Sequence, residues 1–143
     1  MDYQKIRATV EQPLLTAFND LSPSVPVFFD NITAAPANTT TEYVRVNVTF
    51  GLTNEQALTS NFAYVRGSLV IRVFTEKGRG PARNQTLLST AIQTLETVQD
   101  TAKTNSGVFF SIGQINGPSF VVDETSPMFI SRIDAGYKAT VLS

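Results

Sequence analysis

The sequence predicts an α+β domain: a mostly antiparallel sheet of about four to five strands with two main helices packed on one face. Three observations carry this. Apolar residues recur at three- and four-residue steps over 2–21 and again over 81–99, the helical period. They alternate with polar ones over 43–50, 64–75 and 129–141, the strand period. The elements come in the order helix, strands, helix, strands, which suits helices laid on an antiparallel sheet better than a βαβ array.

The first helix spans Asp2 to Leu21, with Tyr3, Ile6, Val10, Leu14, Ala17, Phe18 and Leu21 as its apolar positions and Asp2 as a cap. Pro13 lies inside it. A mid-helix proline removes a backbone hydrogen bond and crowds the preceding turn, at about 3 kcal/mol, so a kink or a break is expected there. Ser22-Pro23-Ser24-Val25-Pro26 ends the helix. Val27 to Asp30 is a short strand candidate, and Asp30 to Glu42, almost free of large apolar residues, reads as a long loop.

Tyr43 to Phe50 is a strand with Val44, Val46, Val48 and Phe50 on one side and Tyr43, Arg45, Asn47 and Thr49 on the other. Gly51 to Asn61 reads as a polar connection, and Tyr64 to Thr75 as the next strand, placed to pair antiparallel with the previous one. Its apolar face is Val65, Leu69, Ile71 and Val73. Gly78-Arg79-Gly80-Pro81 then turns the chain into a second helix, with Gly80 at the cap and Pro81 at the first helical position. Leu87, Leu88, Ala91, Ile92, Leu95 and Val98 form its buried stripe. Asn105-Ser106-Gly107 marks a turn, Val108 to Ile112 a strand, the stretch around Asn116-Gly117-Pro118 an irregular connection, and Phe129 to Val141 a closing strand. The sheet face away from the helices would carry Arg45, Arg66, Arg72 and Arg132, a pattern usual for a solvated face.

Composition narrows the function. The 143 residues suit one domain, and a hydrophobic fraction of 42% supports a core. With a net charge of −1 there is no general attraction to nucleic acid or anionic lipid, and no apolar run reaches the ~18 residues a membrane span needs. MDYQKIRATVEQ is polar and periodic, unlike a secretory signal, so cytoplasmic folding is expected. The chain has no Cys, His or Trp, which removes disulfides, thiol nucleophiles, zinc fingers and His-based acid/base catalysis and lowers the expectation of an enzyme.

The Gly78–Pro81 turn resembles a phosphate cradle only in outline. A phosphate-binding loop needs Gly-Lys-Ser/Thr at the helix start; here the stretch is Gly-Pro-Ala-Arg, and Pro81 removes one of the amides. Arg83 or Asn84 stands where a dinucleotide fingerprint needs its third glycine. A sharp strand-to-helix turn is the favoured reading. Lys77, Arg79 and Arg83 cluster there, either as a contact for an acidic partner or as a solvated corner, with Glu76 diluting the field. Asp123-Glu124, the one adjacent carboxylate pair, lacks further ligands at metal-binding spacing and reads as a turn. Sequons at Asn31, Asn38, Asn47 and Asn84 read as chance in a Thr- and Asn-rich chain. The segments Asp30–Glu42, Gly51–Asn61 and Gln114–Pro127 read as long loops of the kind that gain order against a neighbouring subunit.

The block YVRGSLVIRVFTEKGRGPARNQTLLSTAIQTLE, preceded by an N-terminal helix and a Tyr-Val-Arg-Val strand, resembles the tail terminator proteins of long-tailed bacteriophages. The specific part is Arg66-Gly67-Ser68-Leu69 with Val73-Phe74-Thr75-Glu76-Lys77-Gly78-Arg79-Gly80, running into a helix with Leu87, Ala91 and Leu95. The resemblance implies a virion structural protein of the tail or neck, assembled in the host cytoplasm. It implies a cyclic homo-oligomer, typically a hexamer, that caps the tail tube, ends its polymerisation and meets the head-side connector. It brings no catalytic residue, cofactor or metal, no membrane contact and no specific nucleic-acid binding. Candidate subunit or partner contacts are Lys77, Arg79 and Arg83 at the corner, with Asn38, Thr40, Asn54 and Glu55 in the loops. Two other readings stay open: another neck, head–tail joining or tail completion protein, and a small phosphate- or ligand-binding domain.

Overall fold

A computed structural model describes residues 3–21, 25–30, 42–55, 62–76, 82–105, 108–121 and 128–142. Two helices, α1 (Tyr3–Asn19) and α2 (Ala82–Asn105), accompany five strands: β1 (Val27–Phe28), β2 (Tyr43–Glu55), β3 (Phe62–Glu76), β4 (Val108–Val121) and β5 (Met128–Leu142). The strands form one sheet in the order β1-β2-β3-β5-β4. Only β1–β2 is parallel; the other three pairings are antiparallel. The expected α+β class is the observed one.

The core follows from the two periodicities. Ile6, Val10, Leu14 and Phe18 are the buried residues of α1, each four positions from the last. Leu87, Leu88, Ala91, Leu95 and Val98 are the buried apolar residues among the described side chains of α2. They share one cluster with Val44, Val46 and Val48 of β2, Val65, Leu69, Ile71 and Val73 of β3, and Ile133, Tyr137 and Ala139 of β5. Register places these strand residues side by side, Val46 opposite Ile71 and Ile71 opposite Ile133. The alternate residues, including Arg45, Arg72, Arg132 and Asp134, stay out of the cluster.

Three local expectations are corrected. First, α1 runs unbroken through Pro13. Burial of four large side chains, at about 1.5–3 kcal/mol each, outweighs one lost backbone hydrogen bond. Second, Gly51 to Glu55 is not loop but the end of β2, paired across a register shift between Phe50 and Leu52 with the start of β3. Third, the stretch from Gln114 to Val121, including Asn116-Gly117-Pro118, is strand. β4 keeps its pairing with β5 by taking up the extra residues in two register shifts, Ile112/Ile115 and Asn116/Ser119. As an edge strand it tolerates a proline that donates no hydrogen bond. Gly117 has φ 107°, and a Cβ there would lie 2.7 Å from the Arg132 carbonyl oxygen, so only glycine suits the bend.

Two side chains lock the layers. Asn84, fully buried in the first turn of α2, shares its amide N–H groups among the Val73 carbonyl (3.1 Å), Thr75 Oγ1 (3.2 Å) and the Phe129 carbonyl (3.3 Å). Its Oδ1 accepts from the Ser131 hydroxyl. The sequon reading is thereby explained away at this position: the amide is committed to the core. Asn47 is likewise engaged, while Asn31 and Asn38 fall outside the described residues.

Tyr137 stands directly opposite Gly67 and reaches across it, its hydroxyl donating to the Thr49 carbonyl of β2 at 3.1 Å. β5 is thus tied to a strand that is not its neighbour. A Cβ at Gly67 would sit 2.0 Å from that same Thr49 oxygen and 2.8 Å from the Tyr137 hydroxyl. Gly67→Ala should therefore destabilise the fold by at least about 1–3 kcal/mol, the ordinary cost of overpacking. Urea denaturation of the two proteins checks it; an unchanged midpoint would mean that Tyr137 does not cross Gly67.

Candidate interaction surfaces

Among the described residues, no three acidic side chains come together in a way that could hold a metal ion, and the chain has no His or Cys to do so. A groove between α1 and α2 is lined by Gln12, Pro13, Thr16, Thr90, Gln93 and Thr97 among others, with no charged side chain. The features that distinguish this molecule lie instead at its corner, its sheet edges and one sheet face.

At the corner, Arg83 is bound within the chain. Its Nε lies 3.2 and 3.0 Å from the two Glu42 carboxylate oxygens, and its Nη2 donates to Oε1 at 2.6 Å. The hydrogen bonds that Arg83 donates to Glu42 raise the Arg83 pKa, ahead of the opposing effect of burial. This forked pair clamps the first turn of α2 to the residue before β2. Of the other candidate contacts, Lys77, Arg79, Asn38 and Thr40 lie outside the described residues. Asn54 and Glu55 end β2, opposite Tyr64 and Ala63, as strand rather than loop; their side chains are outside the described part. The structure does not bring the seven candidates into one described site.

The β2 edge is closed by side chains that sequence reading missed. β1 covers only Val44 and Arg45. Beyond it, Asp30 accepts the Val48 backbone N–H at 2.9 Å, and Arg7 Nη2 donates to the Val48 carbonyl at 3.1 Å. Together they offer Val48 what a neighbouring strand would offer. Arg7 Nη1 also donates to Asp30 at 2.5 Å and to Glu11 at 3.1 Å, and Asn47 donates to Asp30 at 2.6 Å. Arg72 in turn donates to Asn47 at 3.0 Å, carrying the network onto the sheet's polar face. Partial burial pushes the Asp30 carboxyl up, but the bonds from Asn47, the Val48 amide and Arg7 win and hold it below its ordinary value. Glu11 goes the other way: burial, together with the nearby Asp30 charge, raises it against the lowering effect of Arg7. Arg7 and Glu11 of α1, Asp30 after β1, Asn47 and Val48 of β2 and Arg72 of β3 meet here, and nothing local in the sequence signals that meeting.

The opposite edge is different. β4 ends the sheet: no other described strand pairs with its outer side. Ser111, Gly113, Gln114, Asn116, Pro118 and Ser119 are exposed along it, and Phe120, 52% exposed, leans on Phe129.

The polar sheet face is ordered in rows. Arg45 is opposite Arg72, and Arg72 opposite Arg132, so three guanidinium groups run across β2, β3 and β5. Next to that row on one side, Tyr43 stacks on Phe74 at 4.3 Å and 9°. Further along the strands, Arg66 is opposite Lys138, and both cations lie over the Tyr64 ring, at 5.7 and 4.6 Å. The acid within these rows, Asp134, pairs with Arg132 at 3.3 Å. Burial, with Arg132 and Arg45 close by, lowers the Arg72 pKa.

Comparison with known proteins establishes the fold and no more. No family model matches the chain, and no curated protein matches it. Solved structures do. One, known only by a sequence number, is 20% identical, covers 97% of this chain and 96% of its own, and superposes with a TM-score of 0.57. The likeness runs the length of both chains, so the arrangement of two helices and a mixed sheet is a recurring one.

The Arg7–Asp30 network predicts an acid dependence. Because the native carboxyl of Asp30 is lowered, its contribution is complete above the unfolded-state pKa of about 3.9 and is lost as pH falls through the native value. Raised Glu11 acts in the opposite sense, its protonation favouring the native state. Between about pH 5 and pH 3, wild-type thermal stability should therefore fall more steeply than that of Asp30→Asn, in which the part of the Glu11 effect that comes from burial remains. Parallel slopes would show that Asp30 does not carry the pair.

Proposed function

We propose that this chain is a virion structural protein of the tail-terminator type: a subunit of a cyclic homo-oligomer, six-membered by the family resemblance, that caps a phage tail tube. In this reading it acts at the tail–neck junction, ends tube polymerisation and presents its other annular face to the head-side connector. It performs no chemistry.

The observation that carries the reading is the β4 edge, which ends the sheet with no further described strand beside it. A 14-residue edge strand invites another chain, and a closed ring answers that invitation at every subunit without leaving an end free. The sequence block from Arg66 into α2 supplies the family resemblance. The competing phosphate-site reading of the Gly78–Pro81 corner is weakened because Arg83, a cation it would use, is held by Glu42.

Light scattering and native mass spectrometry of the purified protein, alone and with tail-tube protein, test the proposal. A cyclic species of about six chains that binds tube ends is expected, and deletion in the phage should yield overlong tails. A chain that stays monomeric under all these conditions, or a deletion giving tails of normal length that fail to join heads, would overturn it; the second result would identify a joining protein.

A further inference from the structure

Among the described residues, charge divides between the polar sheet face and the rest. The polar sheet face holds Arg45, Arg66, Arg72, Arg132 and Lys138 against Glu76 and Asp134, a sum of +3. The other described charges, Lys5, Arg7 and Arg83 against Glu11, Asp20, Asp30, Glu42 and Glu96, sum to −2. Within the face, the Arg45–Arg72–Arg132 row sets like charges on directly opposing residues of adjacent strands, roughly 5 Å apart at their Cβ atoms, an arrangement unfavourable by itself. Relief inside the chain is partial. Arg132 has Asp134, Arg72 has the neutral Asn47, and Arg45 has no hydrogen bond or ion pair among the described residues. On the other side, Asp20 beyond α1 and Glu96 on α2 are exposed carboxylates without an ion pair among the described residues.

We infer that the Arg45–Arg72–Arg132 face is a docking surface for the acidic, helix-bearing side of a second copy of this chain. Charge complementarity names the occupant, since the chain itself carries the opposite charge that the face lacks. The same argument dictates the symmetry of the contact. A two-fold dimer through this face would set one arginine row against another, so the contact is head-to-tail, basic side to acidic side. Repeated with a rotation that divides a full turn, such a contact closes into a ring; any other rotation would give an open filament. The inference rests on the ring reading above and adds its polarity: each subunit faces its neighbour with unlike surfaces.

The test is assembly of charge-reversed chains, followed by light scattering, with circular dichroism as the fold control. Arg45→Glu alone is the safest variant, because it breaks no described intrachain bond; Arg45→Glu with Arg72→Glu is the stronger one. The wild-type assembly should weaken at least tenfold in apparent Kd between about 0.05 and about 0.5 M salt, as desolvated but solvent-edged ion pairs do. Both variants should remain folded and shift toward monomer. Mixing the double variant with an Asp20→Lys, Glu96→Lys chain should restore mixed oligomers. Folded variants that assemble as the wild type does would overturn the inference while leaving the ring intact. A wild type that is monomeric throughout would retire the ring reading itself. Variants that assemble normally yet lose binding of a single-stranded oligonucleotide would also overturn the inference, by making the face a polyanion site.

Discussion

The buried amide of Asn84 is the constraint on which the layering depends. It is placed by the first turn of α2 and bonded to β3 and β5 at once, through Val73, Thr75, Phe129 and Ser131. A buried amide left without partners costs about 1–3 kcal/mol, so the helix cannot slide or rotate on the sheet without losing several bonds together. Apolar contacts alone would not be so selective, since Leu87, Ala91 and Leu95 could slip by a turn and still bury much the same area. Among the described residues no buried side-chain nitrogen or oxygen lacks a partner, so this polar knot sits in the core without penalty.

From that knot the rest of the architecture follows outward. With α2 registered, β3 and β5 hold the centre of the sheet, and Tyr137 bridges from β5 over Gly67 to β2. The two edges then receive opposite treatment. On the β2 side, Arg7 and Asp30 occupy the Val48 hydrogen-bonding groups; on the β4 side nothing described does. A protein that covers part of one edge with a short strand and a charged network, while no described strand pairs with the other, is asymmetric in a way that suits association with unlike surfaces. The separation of basic sheet face from acidic remainder has the same polarity.

Much of the fold was legible in the sequence, and the misses have definite causes. The stripes of α1 and α2 and the alternation in β2, β3 and β5 are local patterns and appear in the structure at nearly the expected residues. β4 was cut short because Gly113, Gly117 and Pro118 look like loop chemistry, whereas an edge strand with two register shifts absorbs them. Pro13 reads as a kink or a break because its cost is local; the helix does not break there because the compensation, four buried side chains, is tertiary. The contact candidates were chosen for charge and position along the chain. Arg83 proved to be held by Glu42, 41 residues away, which no spacing rule connects.

The sequence by itself determined the class of the fold, its order of elements, its core-facing residues and the absence of His and Cys chemistry, because these depend on periodicity and composition. Tertiary structure alone decided that Asn84 would be a buried lock rather than a surface sequon, that Gly67 would make room for a tyrosine from another strand, and that Arg45, Arg72 and Arg132 would stand in one row. The reason is register. Which residues face each other across a sheet depends on how distant segments pair, and a shift of one residue would send every one of these side chains to the other face.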